Sequence, residues 1–263
     1  MKVAFGTDWH LDFLSFNDRR IFLKEMNNFD VDAFIISGDI SVSHYLEEHL
    51  TEINNLIDKP FYFVNGNHDF FGSSFWDVRD KVRKLSIDLK NVHWLEYKSV
   101  QLTNKTAMLG VDGWYDCGYG DYFFSGFEMM DFNHIKEFKF KNKEERLKVF
   151  QFFAEVGSSN IRRDLPKILE NNDFTILVTH VPPFKRLCKY NGKQTNNKAI
   201  PYFCSKIIGD AIIEVKDKYP NKELLVLCGH THNEATFSIN NMNCICASAK
   251  YGNPGIYSII EIF

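Results

Sequence analysis

The chain has 263 residues, 44% of them hydrophobic, and a formal net charge of −3. That is apolar material enough for one sizeable core, and the acidic balance argues against a general electrostatic binder of nucleic acid. No run of about 18 apolar residues offers a membrane span, and the six cysteines, with no C-x-x-C pair among them, read as free thiols of a reducing, cytoplasmic compartment.

In chain order, the opening MKVAFGTDWH reads as a first strand at 3–5 rather than a cleaved leader. A helix at 18–28, a strand at 33–36, a helix at 43–57, a strand at 61–64 and a helix at 74–85 follow. The stretch 92–111 reads as consecutive antiparallel strands. A helix at 143–163, a strand at 176–178, a helix at 205–218 and a strand at 224–227 come next, and 235–262 again reads as antiparallel strands. Strand–helix–strand units imply parallel pairing with crossover helices. The expectation is a single mixed α/β domain over 1–263 with two sheets, a substrate-facing insertion at 113–135 and a basic loop at 181–200.

Each buried strand ends in polar residues. The series is Asp8-x-His10, Gly38-Asp39, Gly66-Asn67-His68-Asp69, His180 and Gly229-His230-x-His232. Sites in α/β folds assemble at the carboxyl ends of strands. Asp8 and His10, two apart in an extended segment, would point to one side, as would His230 and His232. Oxygen and nitrogen donors without a thiolate suit Mn²⁺, Fe or Zn²⁺. Seven candidates, Asp8, His10, Asp39, Asn67, His180, His230 and His232, are too many for one ion. They suit two ions sharing a carboxylate, a device for displacement at phosphorus.

This ordered series resembles the calcineurin-like metallophosphoesterase superfamily, with motifs from residue 8 to 232. The resemblance implies a four-layer α/β/β/α sandwich of two mixed sheets flanked by helices. It implies a first metal held by Asp8, His10 and His232, a second held by Asn67, His180 and His230, and Asp39 bridging together with a hydroxide. Mn²⁺ is the first choice of metal, with Fe, Zn²⁺ or Ni²⁺ as alternatives. His68 would protonate the leaving-group oxygen, and Asp69 would either orient the His68 ring or simply close a turn.

The substrate is less sharply marked. Asp39 is followed by Ile40-Ser41-Val42-Ser43, and His68 by Asp69, which departs from the calcineurin-type protein phosphatases. The pattern is similar to class III cyclic-nucleotide phosphodiesterases. Leu109-Gly110 with Trp114 and Asp116, then Asp131-Phe132, resembles small bacterial and phage phosphoesterases of unassigned substrate. Trp114 and Asp116 would line the entrance, unless Trp114 is a core aromatic, and His44 stands close enough to Asp39 in sequence to overhang the site. Lys185 and Arg186, in a loop without acids, would suit an anionic substrate, the alternative being an ordinary solvated loop. The expected function is two-metal hydrolysis of a phosphodiester in a small or cyclic nucleotide. The alternatives are a phosphomonoesterase, a short-oligonucleotide nuclease or, of a different class, a metal-binding scaffold for protein interaction.

Overall fold

The computed structural model describes residues 1–96 and 98–262. The first half runs β1 (Lys2–Gly6), α1 (Phe16–Glu25), β2 (Ala33–Ile36), α2 (Leu46–Leu56), β3 (Phe61–Phe63), α3 (Phe75–Asp88) and β4 (Val92–Trp94). The second half runs β5 (Val100–Gln101), β6 (Thr106–Val111), the single turn α4 (Asp131–His134), α5 (Lys143–Asn171) and β7 (Phe174–Thr179). It continues with the small hairpin β8 (Lys189–Tyr190) and β9 (Lys193–Gln194), α6 (Lys206–Lys216), β10 (Glu223–Cys228), β11 (Ala235–Ile239), β12 (Met242–Cys246) and β13 (Ser258–Glu261).

Two mixed sheets result. One has the order β13-β1-β2-β3-β4 and the other β11-β12-β10-β7-β6-β5. Alternation along the strands explains how they stack. Val3 and Phe5, Ala33 and Ile35, Met108, Ile176 and Val178, and Leu225 and Leu227 meet between the sheets. Their neighbours Ala4, Phe34 and Ile36 face a second core with helical residues such as Leu50 and Val78, and Leu177, Leu224 and Val226 face Ile161, Leu165 and Ile212. Strands buried on both faces read as continuous apolar runs, as these do. The four-layer sandwich with flanking helices follows.

The stretches expected to be antiparallel are only partly so. β4 pairs in parallel with β3, and β6 with β7, because α3 and α5 act as crossovers between those strands. β5 and β6 are antiparallel, as are β11 with β12 and β13 with β1, but β12 itself runs parallel to β10. Helix α5 continues past its expected end through Pro166. Proline removes one backbone donor there, and buried Leu165, Ile168 and Leu169 keep the last turns on the sheet. Among the described residues no helix is long and apolar enough to cross a membrane.

Candidate active site

All seven expected ligands sit just beyond the carboxyl ends of parallel strands: Asp8 and His10 after β1, Asp39 after β2, Asn67 after β3, His180 after β7, and His230 and His232 after β10. The chain is stitched there by backbone bonds, Asp8 N–H to the Gly38 carbonyl at 3.0 Å and His10 N–H to the Asp39 carbonyl at 2.9 Å. The pairs Asp8/His10 and His230/His232 do not converge through extended alternation. Asp8, His10, Asp39, His230 and His232 have φ of 49°, 42°, 53°, 68° and 55°. Left-handed backbone is uncommon outside glycine and concentrates where function demands it. Here it curls successive side chains into one centre.

The donor atoms form two groups that share one carboxylate. Asp8 Oδ1 lies 3.2 Å from His232 Nε2 and 3.9 Å from His10 Nε2, and His10 Nε2 lies 3.5 Å from Asp39 Oδ2. On the other side, Asn67 Oδ1 lies 3.0 Å from His180 Nε2 and 3.0 Å from His230 Nδ1, and His180 Nε2 lies 3.5 Å from Asp39 Oδ1.

Carbonyl groups set the two rings of the second group. The ring nitrogen of His180 beside the Ser37 carbonyl (Nδ1, 2.7 Å) and that of His230 beside the Tyr202 carbonyl (Nε2, 2.9 Å) must carry the protons, because a carbonyl only accepts. Each ring therefore turns a bare nitrogen inward, 3.2 Å from the other. Lone pairs facing one another are unfavourable without a cation. Asp8 Oδ1 is likewise buried without a hydrogen bond.

The electrostatics agree. Burial, with Asp8 and Asp69 nearby, pushes Asp39 well above the usual carboxylate range. Burial would also raise Asp8, but the close approach of the His232 ring overrides that and lowers it. The residues fit two divalent cations: Asp8, His10 and His232 for one, Asn67, His180 and His230 for the other, with an oxygen of Asp39 offered to each.

Sequence reading missed part of the support. Asp131 is buried; it accepts from Asn67 Nδ2 at 3.3 Å and from the Tyr115 hydroxyl at 3.0 Å, which turns the Asn67 carbonyl oxygen toward the two histidines. The Tyr251 ring lies 4.4 Å from that of His10 and 4.6 Å from that of His232. Asp112 accepts from the Asn65 N–H, the Trp94 indole and Arg79, and its carbonyl receives the His180 N–H. One side chain thus ties the ends of β3, β4 and β6 together behind the second group.

The other expected residues separate. His68 lines the cleft of about 360 Å³ over the centre, together with Asp39, Asn67, Asp131, His230, His232 and Tyr251. Its N–H donates to Asp39 Oδ1 at 2.8 Å, its ring stacks on Phe71 at 4.2 Å, and burial pushes it down to about 3. Asp69 does not reach the His68 ring. Its two oxygens accept from the backbone of Gly66 and Ser41 at 2.8 and 2.9 Å, which is the turn-closing alternative.

Trp114 is a core aromatic, 1% exposed and packed among Phe70, Phe75, Phe138 and Phe153. Asp116 is buried too, and its carboxylate accepts from the backbone of Gly118 and Ile207, so it caps the start of α6 instead of lining an entrance. His44 is exposed, with its ring against Tyr45, and does not line the cleft. Lys185 and Arg186 are exposed outside the cleft, and Arg186 stacks over Phe237. Within 113–135, Glu128, Met129, Met130 and Asp131 do line it.

The fold brings together two donor groups that could hold metal ions. The family model for calcineurin-like phosphoesterase matches residues 1–234, and the chain belongs to that family. It is accordingly a metal-dependent phosphoester hydrolase. No curated protein matches by sequence. Among solved structures, the chain is similar to a phosphopantetheinyl hydrolase from Mycobacterium tuberculosis (13% identity, 95% of this chain and 89% of that one, TM-score 0.65). It is also similar to a dimetal phosphatase from Danio rerio (12% identity, 98% and 91%, TM-score 0.60). Both likenesses concern the fold.

Proposed function

We propose that the protein is a phosphodiesterase acting on small nucleotides with two Mn²⁺ ions. The observation that carries this reading is that the cleft over the donor groups shares Tyr190, Phe203 and Thr231 with a neighbouring cavity of about 710 Å³. A monoester places one substituent beside the phosphorus; a diester needs room for two. The nitrogen-and-oxygen donor set, without a thiolate, accommodates Mn²⁺, and the free thiols fit a cytoplasmic setting. When bound, the two cations would supply an activated water and neutralise charge on the phosphoryl group.

The chain's own residues do the rest. Asp39 holds the His68 backbone, and Phe71 packs flat on the His68 ring, so the ring stands at the cleft wall where a leaving oxygen would emerge. There it donates a proton to that oxygen, which requires the ring to take one up together with the anionic substrate. Tyr251 closes over the His10 and His232 rings and limits water on that side. Asp131 positions the Asn67 amide, and Asp112 positions the strand ends behind it.

The test is a panel of phosphomonoesters and of linear and cyclic phosphodiesters with the Mn²⁺-loaded protein. The reading expects the highest kcat/KM on a nucleotide diester. A preference for monoesters would overturn it.

A further inference from the structure

The second cavity is built mainly by the loop that follows His180. The hairpin β8–β9 turns at Asn191-Gly192, both with positive φ (48° and 73°), and is tied down by the Asn191 N–H to Asn233 Oδ1 at 3.1 Å. Asn233 directly follows His232, so the hairpin is registered to the metal centre by one residue. Phe127, Tyr190 and Phe203 supply aromatic walls. The Phe203 ring also lies 5.2 Å from the ring of His230, so one wall of the cavity touches the second donor group. Tyr190 is 67% exposed and Phe127 39%, so both rings are open to a ligand from solvent.

The charge of this wall is one-sided. Lys189 and Lys193 line it and no carboxylate does, in a protein of net charge −3. Neither ammonium has a carboxylate partner among the described residues. Lys185 and Arg186 do not line the cavity. A volume of about 710 Å³ falls within the usual range of small-molecule sites, roughly 300–1,000 Å³. Aromatic faces take flat heterocycles by stacking, and an ammonium group beside them takes an anion.

We propose that this cavity binds the leaving half of the substrate as a nucleotide, its base among Phe127, Tyr190 and Phe203 and its own phosphate at Lys193, which shares a face of the hairpin with Tyr190. The substrate class is then a diester with a second phosphate beyond the scissile one, rather than a cyclic mononucleotide. This rests on the phosphodiesterase reading above and deepens it.

The experiment compares adenylyl dinucleotides with and without a terminal phosphate, at either end, on the metal-loaded full chain. The wild type should prefer a phosphorylated form. The Lys189→Ala, Lys193→Ala double variant should lose about fivefold of that preference, the size expected for one partly exposed ion contact. In calorimetry it should bind adenosine 5′-phosphate more weakly by the same factor and adenosine as the wild type does. An unchanged preference ratio in the double variant, or equal cleavage of all dinucleotides by a wild type that still hydrolyses bis(p-nitrophenyl) phosphate, overturns this inference alone. Failure of the wild type on every diester overturns the phosphodiesterase reading as well.

Discussion

Gly66 and Asp39 approach so closely that a Cβ on Gly66 would lie 2.1 Å from Asp39 Oδ1. That methyl would also meet the Asp39 backbone nitrogen at 2.4 Å and His180 Cε1 at 2.7 Å. The glycine is there to let the turn after β3 rest on the shared carboxylate. Gly229 does the same after β10, where a Cβ would lie 1.9 Å from Thr7 Oγ1 and 2.4 Å from Asp8 Oδ2.

Gly66→Ala should therefore push Asp39 and His180 apart. Overpacking of this kind costs about 1–3 kcal/mol, and here it falls on residues of both donor groups. Elemental analysis should find fewer than two ions per chain, and thermal melting should shift downward. Gly126→Ala is the control, because nothing lies within 4 Å of a Cβ there. Two tightly held ions in Gly66→Ala protein would contradict this account of the turn.

His68 can be separated from the metal ligands by the leaving group it serves. A nitrophenolate departs as a stable anion, whereas a ribose alkoxide needs a proton. His68→Ala should keep both ions, slow a nucleoside diester by roughly 10²–10⁴-fold and slow a nitrophenyl ester much less. Equal losses on both esters, with metal content intact, would assign His68 to binding instead of proton transfer.

Asp116 gives a prediction of the opposite kind. Its carboxylate takes up the Ile207 N–H at the start of α6, where Ser205 makes no side-chain cap. Asp116→Ala should destabilise the fold by about 1–2 kcal/mol, as loss of a helix cap does, measured by denaturant unfolding. The kcat/KM of the folded variant should match the wild type. A selective fall in kcat/KM with unchanged stability would return Asp116 to the substrate.

The seven metal-ligand candidates and the two-sheet α/β architecture were legible in the amino-acid order. Apolar runs of strand length ended, one after another, in Asp, Asn or His beside glycine. Metal ligation admits few side-chain types and strand burial demands continuous apolar residues, so both leave a local mark. His68 was legible for the same reason, as a histidine inside one of those strand ends. The antiparallel reading of 92–111 held for β5 with β6 and missed the parallel pairing of β4 with β3 and of β6 with β7, because pairing direction depends on whether the intervening helix crosses over, and α3 and α5 do.

The tertiary structure decided everything that depends on partners distant in the chain. Asp131 supports Asn67 across 64 residues, and Asp116 caps α6 across 91. Neither separation leaves a periodicity or a spacing to read. The left-handed backbone at Asp8, His10, Asp39, His230 and His232 is likewise held by neighbouring strands, since those residue types ordinarily prefer other conformations. It was three-dimensional packing, too, that sent Trp114 into the core and set Lys189 and Lys193, rather than Lys185 and Arg186, around the second cavity. Residue type, then, determined which atoms can bind metal and which strands lie buried. Long-range contacts decided where those atoms point and what surrounds them, because orientation is a property of the whole packed chain.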